Sequence, residues 1–262
     1  MPSEHKPYVP VSRVGQVLLL CGHEFKRTVR QFFRYPVAAV VLVVVMLLMF
    51  LGLVQTALGV SSGADRSTVS FVEVAQRYII WSTTIIGISS VSGSIEDDTR
   101  AGTMELAWLS PVPFWLILLA RASASTCLIV LINVLLAVVI GLFVGFESLL
   151  TLSFLLSVCL AGIGGMSLGL ILGAFVIRYK SIGPAANVFQ FLLLPTFLGA
   201  ATPPLWLVFA PSGGALLFAI APDQSTVLWS AIGGSLVWLV IGVFCITFAQ
   251  HRSRTLGIVN QY

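Results

Sequence analysis

Four carboxylates crowd one short stretch of this chain: Glu96, Asp97, Asp98 and Glu105 all fall within Ile95–Pro113, which reads IEDDTRAGTMELAWLSPVP. The whole sequence holds only ten acidic residues, so the cluster is a local feature and not a consequence of composition. Carboxylates this close can ligate a metal, share acid–base work, or form the acidic shoulder of a docking surface. The rest of the chain lends the first two little support. Cys21, Cys127, Cys159 and Cys245 are far apart with no CxxC pair, so neither a disulfide nor a metal site is expected. His23-Glu24 opens an HExxH pattern, but Arg27 stands where the second ligand belongs. Lys180-Ser181 resembles the end of a phosphate-binding loop, yet Tyr179 occupies the required glycine position and the leading glycine is missing. The chain alone is therefore not expected to bind or hydrolyse ATP, and no cofactor is expected in it.

The elements that must position these carboxylates are membrane helices. The chain has 262 residues, 58% hydrophobic and 9% charged, with a mean hydropathy of +1.02, whereas soluble domains carry about 25% charged residues. Apolar runs of about 20 residues suit helices that cross a bilayer, and the alternation of barrel strands is absent. The expected fold class is all-α integral membrane protein. The first long apolar run starts at Val37 and exceeds the core of a signal peptide, so it is expected to stay as an anchor.

In chain order, residues 1–11 read as a loose tail and 12–35 as an amphipathic interface helix. Its polar face carries Gln16, His23, Arg27, Arg30 and Arg34; Leu18, Cys21, Phe25, Val29 and Phe32 lie opposite, a pattern suited to the membrane surface. Residues 36–262 form a single transmembrane domain with six spans, at about 37–60, 71–94, 114–145, 149–176, 182–198 and 226–249. Glu73 and Arg77 are four apart near the start of the second span and are expected to pair. Ala161, Gly165, Gly169 and Gly173 form a small-residue stripe on the fourth, expected to admit a close helix neighbour, inside the subunit as the plainer reading or at a subunit interface as the alternative. Residues 201–223 are apolar but broken by Pro203, Pro204, Pro211, Gly213, Gly214 and Pro222, which predicts re-entrant half-helices. All Lys and Arg except Arg66 and Arg77 then fall on the side of both termini, so both termini and the 95–113 loop are expected in the cytoplasm.

The spans carry no acidic residue near mid-membrane, which argues against an ion-driven carrier and for an external energy source. Gln55, Thr83, Thr84, Asn133, Asn187 and Gln190 are the polar mid-span candidates for a transport path, each with interhelical hydrogen bonding as its plainer role. Within the acidic stretch, Gly102 permits a sharp change of direction. Met104/Trp108 and Leu106/Leu109 offer apolar contacts at helical spacing before Pro111 and Pro113 end the turn. A short surface helix with an acidic shoulder and an apolar face is a docking element; a solvated loop helix is the plainer reading.

The run Glu96 … Ala101-Gly102-Thr103-Met104-Glu105-Leu106 … Leu109-Ser110-Pro111-Val112-Pro113 resembles the loop between the second and third spans of type 2 ABC exporter permeases. In that family an acidic lead-in precedes a Gly-Thr-x-Glu-x-Leu core and a proline. The motif likeness is confined to this stretch; the likeness in layout extends over nearly the whole chain. Glu96, Gly102, Thr103, Glu105, Leu106 and Pro111 are the matching positions. The resemblance implies a coupling helix, flanked by Asp97, Asp98 and Trp108, seated in a cleft of a separate ABC ATPase that binds ATP and Mg. It also implies a second permease subunit, the same or homologous, a bacterial inner (plasma) membrane location, and export, with residues 201–223 as outer gate; a path of apolar side chains with a few amides and hydroxyls suits an amphipathic or hydrophobic substrate. No nucleic-acid partner is expected. The chain departs from the family at Phe114–Leu119, an apolar run where the family is more polar and often basic, with Arg121 as the next basic group. Asp97-Asp98 and the Pro-Val-Pro ending also resemble the haem-exporter branch, from which the longer N-terminus and the 201–223 region depart. A non-transporting scaffold or sensor recruiting a soluble partner, and a secondary carrier, are the competing readings.

Overall fold

In hydrocarbon a backbone must satisfy its own polar groups, and the apolar runs of this chain do so as helices. The computed structural model describes residues 13–60, 71–110, 112–144, 149–179, 210–220 and 225–255, together with 188 and 193. Helix α1 (Arg13–Arg34) is followed by α2 (Pro36–Val60), α3 (Phe71–Arg100), the short α4 (Met104–Trp108) and α5 (Phe114–Val144). Then come α6 (Leu152–Tyr179), the eight-residue α7 (Gly213–Ile220) and α8 (Ser225–Thr255). No strand occurs among the described residues.

Four helices are long and apolar enough to cross a membrane: Phe71–Arg100, Phe114–Leu142, Leu152–Tyr179 and Ser225–Ser253. At 28 to 30 residues each reaches about 42–45 Å, beyond the about 30 Å of hydrocarbon. The chain is a multi-pass membrane protein on this ground. Helix α2 adds an apolar run over Val40–Gln55. The fifth span expected at 182–198 lies outside the described residues except for 188 and 193.

Helices α3 and α6 form the centre. Two thirds of the apolar window of each (67%) is buried by protein, against 22% for α8. Their close approach follows from the small-residue stripe. A Cβ on Gly165 would stand 2.5 Å from the Thr84 carbonyl oxygen, one on Gly169 2.7 Å from Val91 Cβ, and one on Gly173 would strike Ile95 Cδ1. Gly87 on α3 answers Gly165 across the same crossing. The stripe is thus spent on packing inside the chain, as its spacing predicts.

Apolar side chains gather into two cores at opposite ends of the bundle. One joins Phe50, Tyr78, Ile79, Phe154, Val158, Leu216 and Ala219; the other joins Ile95, Met104, Phe114, Leu118, Val176 and Ile246. Helix α2 is held at the first: the Tyr78 hydroxyl donates to the Met46 carbonyl at 2.6 Å, and Phe50 packs edge-on against Phe71. Beside it the Arg77 guanidinium pairs with Glu73, as the four-residue spacing predicts. Helix α7 belongs to the same end, with Gly213–Ala219 buried against α6 and α8.

Several boundaries differ from the sequence expectation. Helix α3 does not end at Ser94 but runs on to Arg100, so Glu96, Asp97 and Asp98 ride on its last turns and not on a loop. Neither glycine nor proline follows Gly93 until Gly102, and an Arg100–Glu96 pair at 2.5 Å supports the added turn. Helix α6 begins at Leu152, three residues late, because Thr151 caps it: its hydroxyl accepts the Phe154 amide at 3.2 Å. Helix α8 continues past Ala249 and takes His251 and Arg252 into its final turns.

Candidate functional site

The acidic cluster sits where α3 leaves the bundle. Gly102 has φ +68°, the left-handed conformation that glycine adopts without steric cost. Around it the Thr103 amide donates to the Asp98 carbonyl at 3.1 Å and the Gly102 amide to the Thr99 carbonyl at 3.3 Å. These are the two bonds of a Schellman stop, which satisfies the last carbonyls of α3 and reverses the chain into α4. The Thr103 hydroxyl adds contacts to the Asp98 carbonyl and carboxylate at 3.3 and 3.4 Å.

Helix α4 is anchored by its apolar side. Met104 is buried with Ile95, Phe114 and Leu118, and Trp108 meets Phe114 edge to face at 6.0 Å. Leu109, expected to make an apolar contact paired with Leu106, is instead 82% exposed. The residues from Asp97 outward leave Asp97, Arg100, Ala101, Gly102 and Thr103 facing out, a mixed-charge shoulder with Leu109 beside it. Glu105 and Leu106 belong to α4 by backbone, but their side chains, like Pro111, lie outside the described residues.

The electrostatic centre of the site is Arg121 on α5. Its guanidinium bonds the Asp98 carboxylate and brings Nε to 3.6 Å from Glu24 Oε2 on α1. Arg27 stands 3.7 Å from the same Glu24 oxygen. Glu24 is only 6% exposed, and a carboxylate so buried is tolerated where cations compensate it. One arginine therefore ties three elements: the interface helix, the acidic end of α3 and the start of α5. Sequence reading noticed Arg121 as a substitute basic group but missed Glu24. The available signals were that Glu24 is the lone acid of an otherwise basic helix and that Arg121 is the one charge within α5.

Helix α1 packs against α5. Arg27, Arg30 and Arg34 are exposed and, with His23, Lys26 and Gln31, line a basic cleft of about 330 Å³. Cys21, Val29 and Phe32 are half-buried, whereas Phe25, expected on the same apolar face, is exposed, as are Leu19 and Phe33.

Among the described residues, the polar candidates for a transport path differ in setting. Gln55 is exposed on α2. Thr83 and Thr84 are wholly buried, each donating to its own helix at the Ile79 and Ile80 carbonyls (2.7 and 2.9 Å). Asn133 links α5 to α3: its Oδ1 accepts from Ser82 at 2.7 Å while its amide donates to the Ile129 carbonyl at 3.0 Å. Asn187 and Gln190 lie outside the described residues. Of the proposed outer-gate positions, Pro203 and Pro204 are likewise outside, whereas Pro211, Gly213 and Gly214 form the turn into α7 through Ser212 at φ 64°. A Cβ on Gly214 would meet Ala231 Cα at 2.7 Å, so this turn is wedged against α8 at the end opposite the acidic shoulder. Comparison with protein-family models, with curated proteins and with solved structures gives no match to this chain.

Proposed function

We propose that this chain is the membrane subunit of an ATP-driven exporter of the type 2 ABC kind, with six spans and both termini in the cytoplasm of a bacterial cell. The six are α2, α3, α5, α6, the 182–198 segment and α8. The observation that carries the reading is the Schellman turn at Gly102. It ends a central, deeply buried helix in a short docking helix with an exposed charged shoulder. A push on α4 has a stiff route inward. Met104 and Trp108 are packed, α3 is pressed against α6 along its glycines, and Asp98 hands the displacement to α1 through Arg121 and Glu24.

In this mechanism a separate ATPase subunit holds ATP and Mg, receives α4 and Glu105 in a cleft, and moves them as it closes. The spans of two permease subunits rock in response and pass an amphipathic or hydrophobic substrate outward, with the turn into α7 yielding at the far end. Affinity purification from native membranes tests the assembly: a co-purifying ATPase with a phosphate-binding loop is expected. Glu105→Lys and Gly102→Val should each lose that partner or its substrate-stimulated ATP hydrolysis. Intact assembly and stimulation in both variants would sink the coupling role, and a different soluble partner would point to a scaffold.

A further inference from the structure

Helices α6 and α8 part at the end of the bundle that carries the acidic shoulder, leaving a cleft of about 210 Å³. Ala174, Phe175, Cys245, Phe248 and Ala249 give it apolar walls, and Arg178 and Arg252 stand on its two sides. Stacked aromatic pairs extend the walls, Phe175 on Tyr179 and Phe244 on Phe248. Among the described residues neither Arg178 nor Arg252 takes part in an ion pair, although Glu24, Glu73, Glu96 and Asp98 all do.

We infer that this cleft holds an anionic phospholipid, its phosphate between Arg178 and Arg252 and the upper part of one acyl chain along Phe175, Phe248 and Ala249. Charge complementarity and the amphipathic order of the walls select the occupant. Two cations on facing helices call for one anion, and the wall beyond them is apolar but for the Cys245 thiol and the Ser253 hydroxyl. Arginines near helix ends also snorkel to the interface singly, but snorkelling alone does not place two of them on either side of one apolar cleft. The volume, below the about 300 Å³ of ordinary small-molecule cavities, suits part of a lipid and not a whole solute. The site depends on the chain spanning a membrane, and its assignment to the cytoplasmic leaflet rests on the proposed orientation; it needs no ATPase partner.

The test uses the purified full-length chain in detergent, with retained lipid read by native mass spectrometry. Dioleoyl phosphatidylglycerol should be retained over dioleoyl phosphatidylcholine by about twenty-five-fold, each arginine contributing about fivefold. Arg178→Gln/Arg252→Gln should remove the preference with the thermal unfolding midpoint in detergent unchanged. Ala249→Trp, which fills the apolar wall and leaves both arginines, should lose the lipid as well. Equal retention of the two lipids by the unaltered chain would overturn the inference. So would an undiminished preference in the double variant, or displacement of the lipid by inorganic phosphate alone. These outcomes concern the chain by itself, so they stand apart from whether an ATPase co-purifies.

Discussion

Arg121 is the residue on which the site turns. Its side chain is 15% exposed and lies between Asp98 and Glu24, so Arg121→Gln leaves two carboxylates without their shared cation. Breaking a fully buried pair costs about 3–5 kcal/mol, and partial exposure here brings the expected loss to about 2 kcal/mol. The triple variant Glu24→Gln/Asp98→Asn/Arg121→Gln removes Arg121 with both of its carboxylates, leaving only the more exposed Arg27, and should recover most of that loss. Thermal unfolding in detergent checks the order; a triple variant less stable than Arg121→Gln would mean that the pairing itself, and not the orphaned carboxylates, sets the cost. Gly102 makes a separate prediction. A Cβ there meets nothing within 4 Å, so substitution is penalised by its φ of +68° and not by crowding. Gly102→Asn, tolerant of the left-handed region, should keep the fold and any partner binding. Gly102→Val should destabilise by about 1–2 kcal/mol. Equal effects of the two would show that side-chain size and not backbone conformation decides.

The crossing of α3 and α6 is set by backbone proximity. Gly165 faces the Thr84 carbonyl, a group with no freedom to move aside, so even Gly165→Ala must push the helices apart. The expected cost is about 1–3 kcal/mol, as for other overpacked cores. Gly233 on α8 has open space around its Cβ position, and Gly233→Ala should be neutral or stabilising by up to about 1 kcal/mol through helix propensity. Melting curves of the two alanine variants in the same detergent decide; a harmless Gly165→Ala would remove the close crossing as the organiser of the bundle. The spacing of Ala161, Gly165, Gly169 and Gly173 announces a close neighbour from sequence alone. Which neighbour it is depends on Gly87, Thr84 and Val91; Thr84 is marked in the sequence as polar, but nothing there assigns these three to the stripe.

For the whole molecule, the proposed orientation, drawn from the charge bias of the sequence, puts the acidic shoulder and both termini in the cytoplasm and residues 61–70 outside. In a variant without native cysteines, Ser62→Cys should react with a membrane-impermeant maleimide in intact cells. Ser110→Cys should react only after the inner membrane is opened. The reverse pattern would invert the molecule and place the docking helix where no cytoplasmic ATPase reaches it. The two apolar cores fit a body stiff along α3, with α4 at one end and the wedged turn into α7 at the other.

What the sequence determined by itself is governed by local chemistry. Apolar length makes helices, glycine at position 102 makes the left-handed stop, the Glu73–Arg77 spacing makes a pair, and a broken apolar stretch makes the short α7. What tertiary structure alone decided is which groups meet across the fold. Arg121 bonds Asp98 only because α5 returns alongside α3. Glu24 joins them from a helix ninety-seven positions before Arg121 in the chain. Charge pairing of this kind depends on distance in space, which no periodicity along the chain encodes.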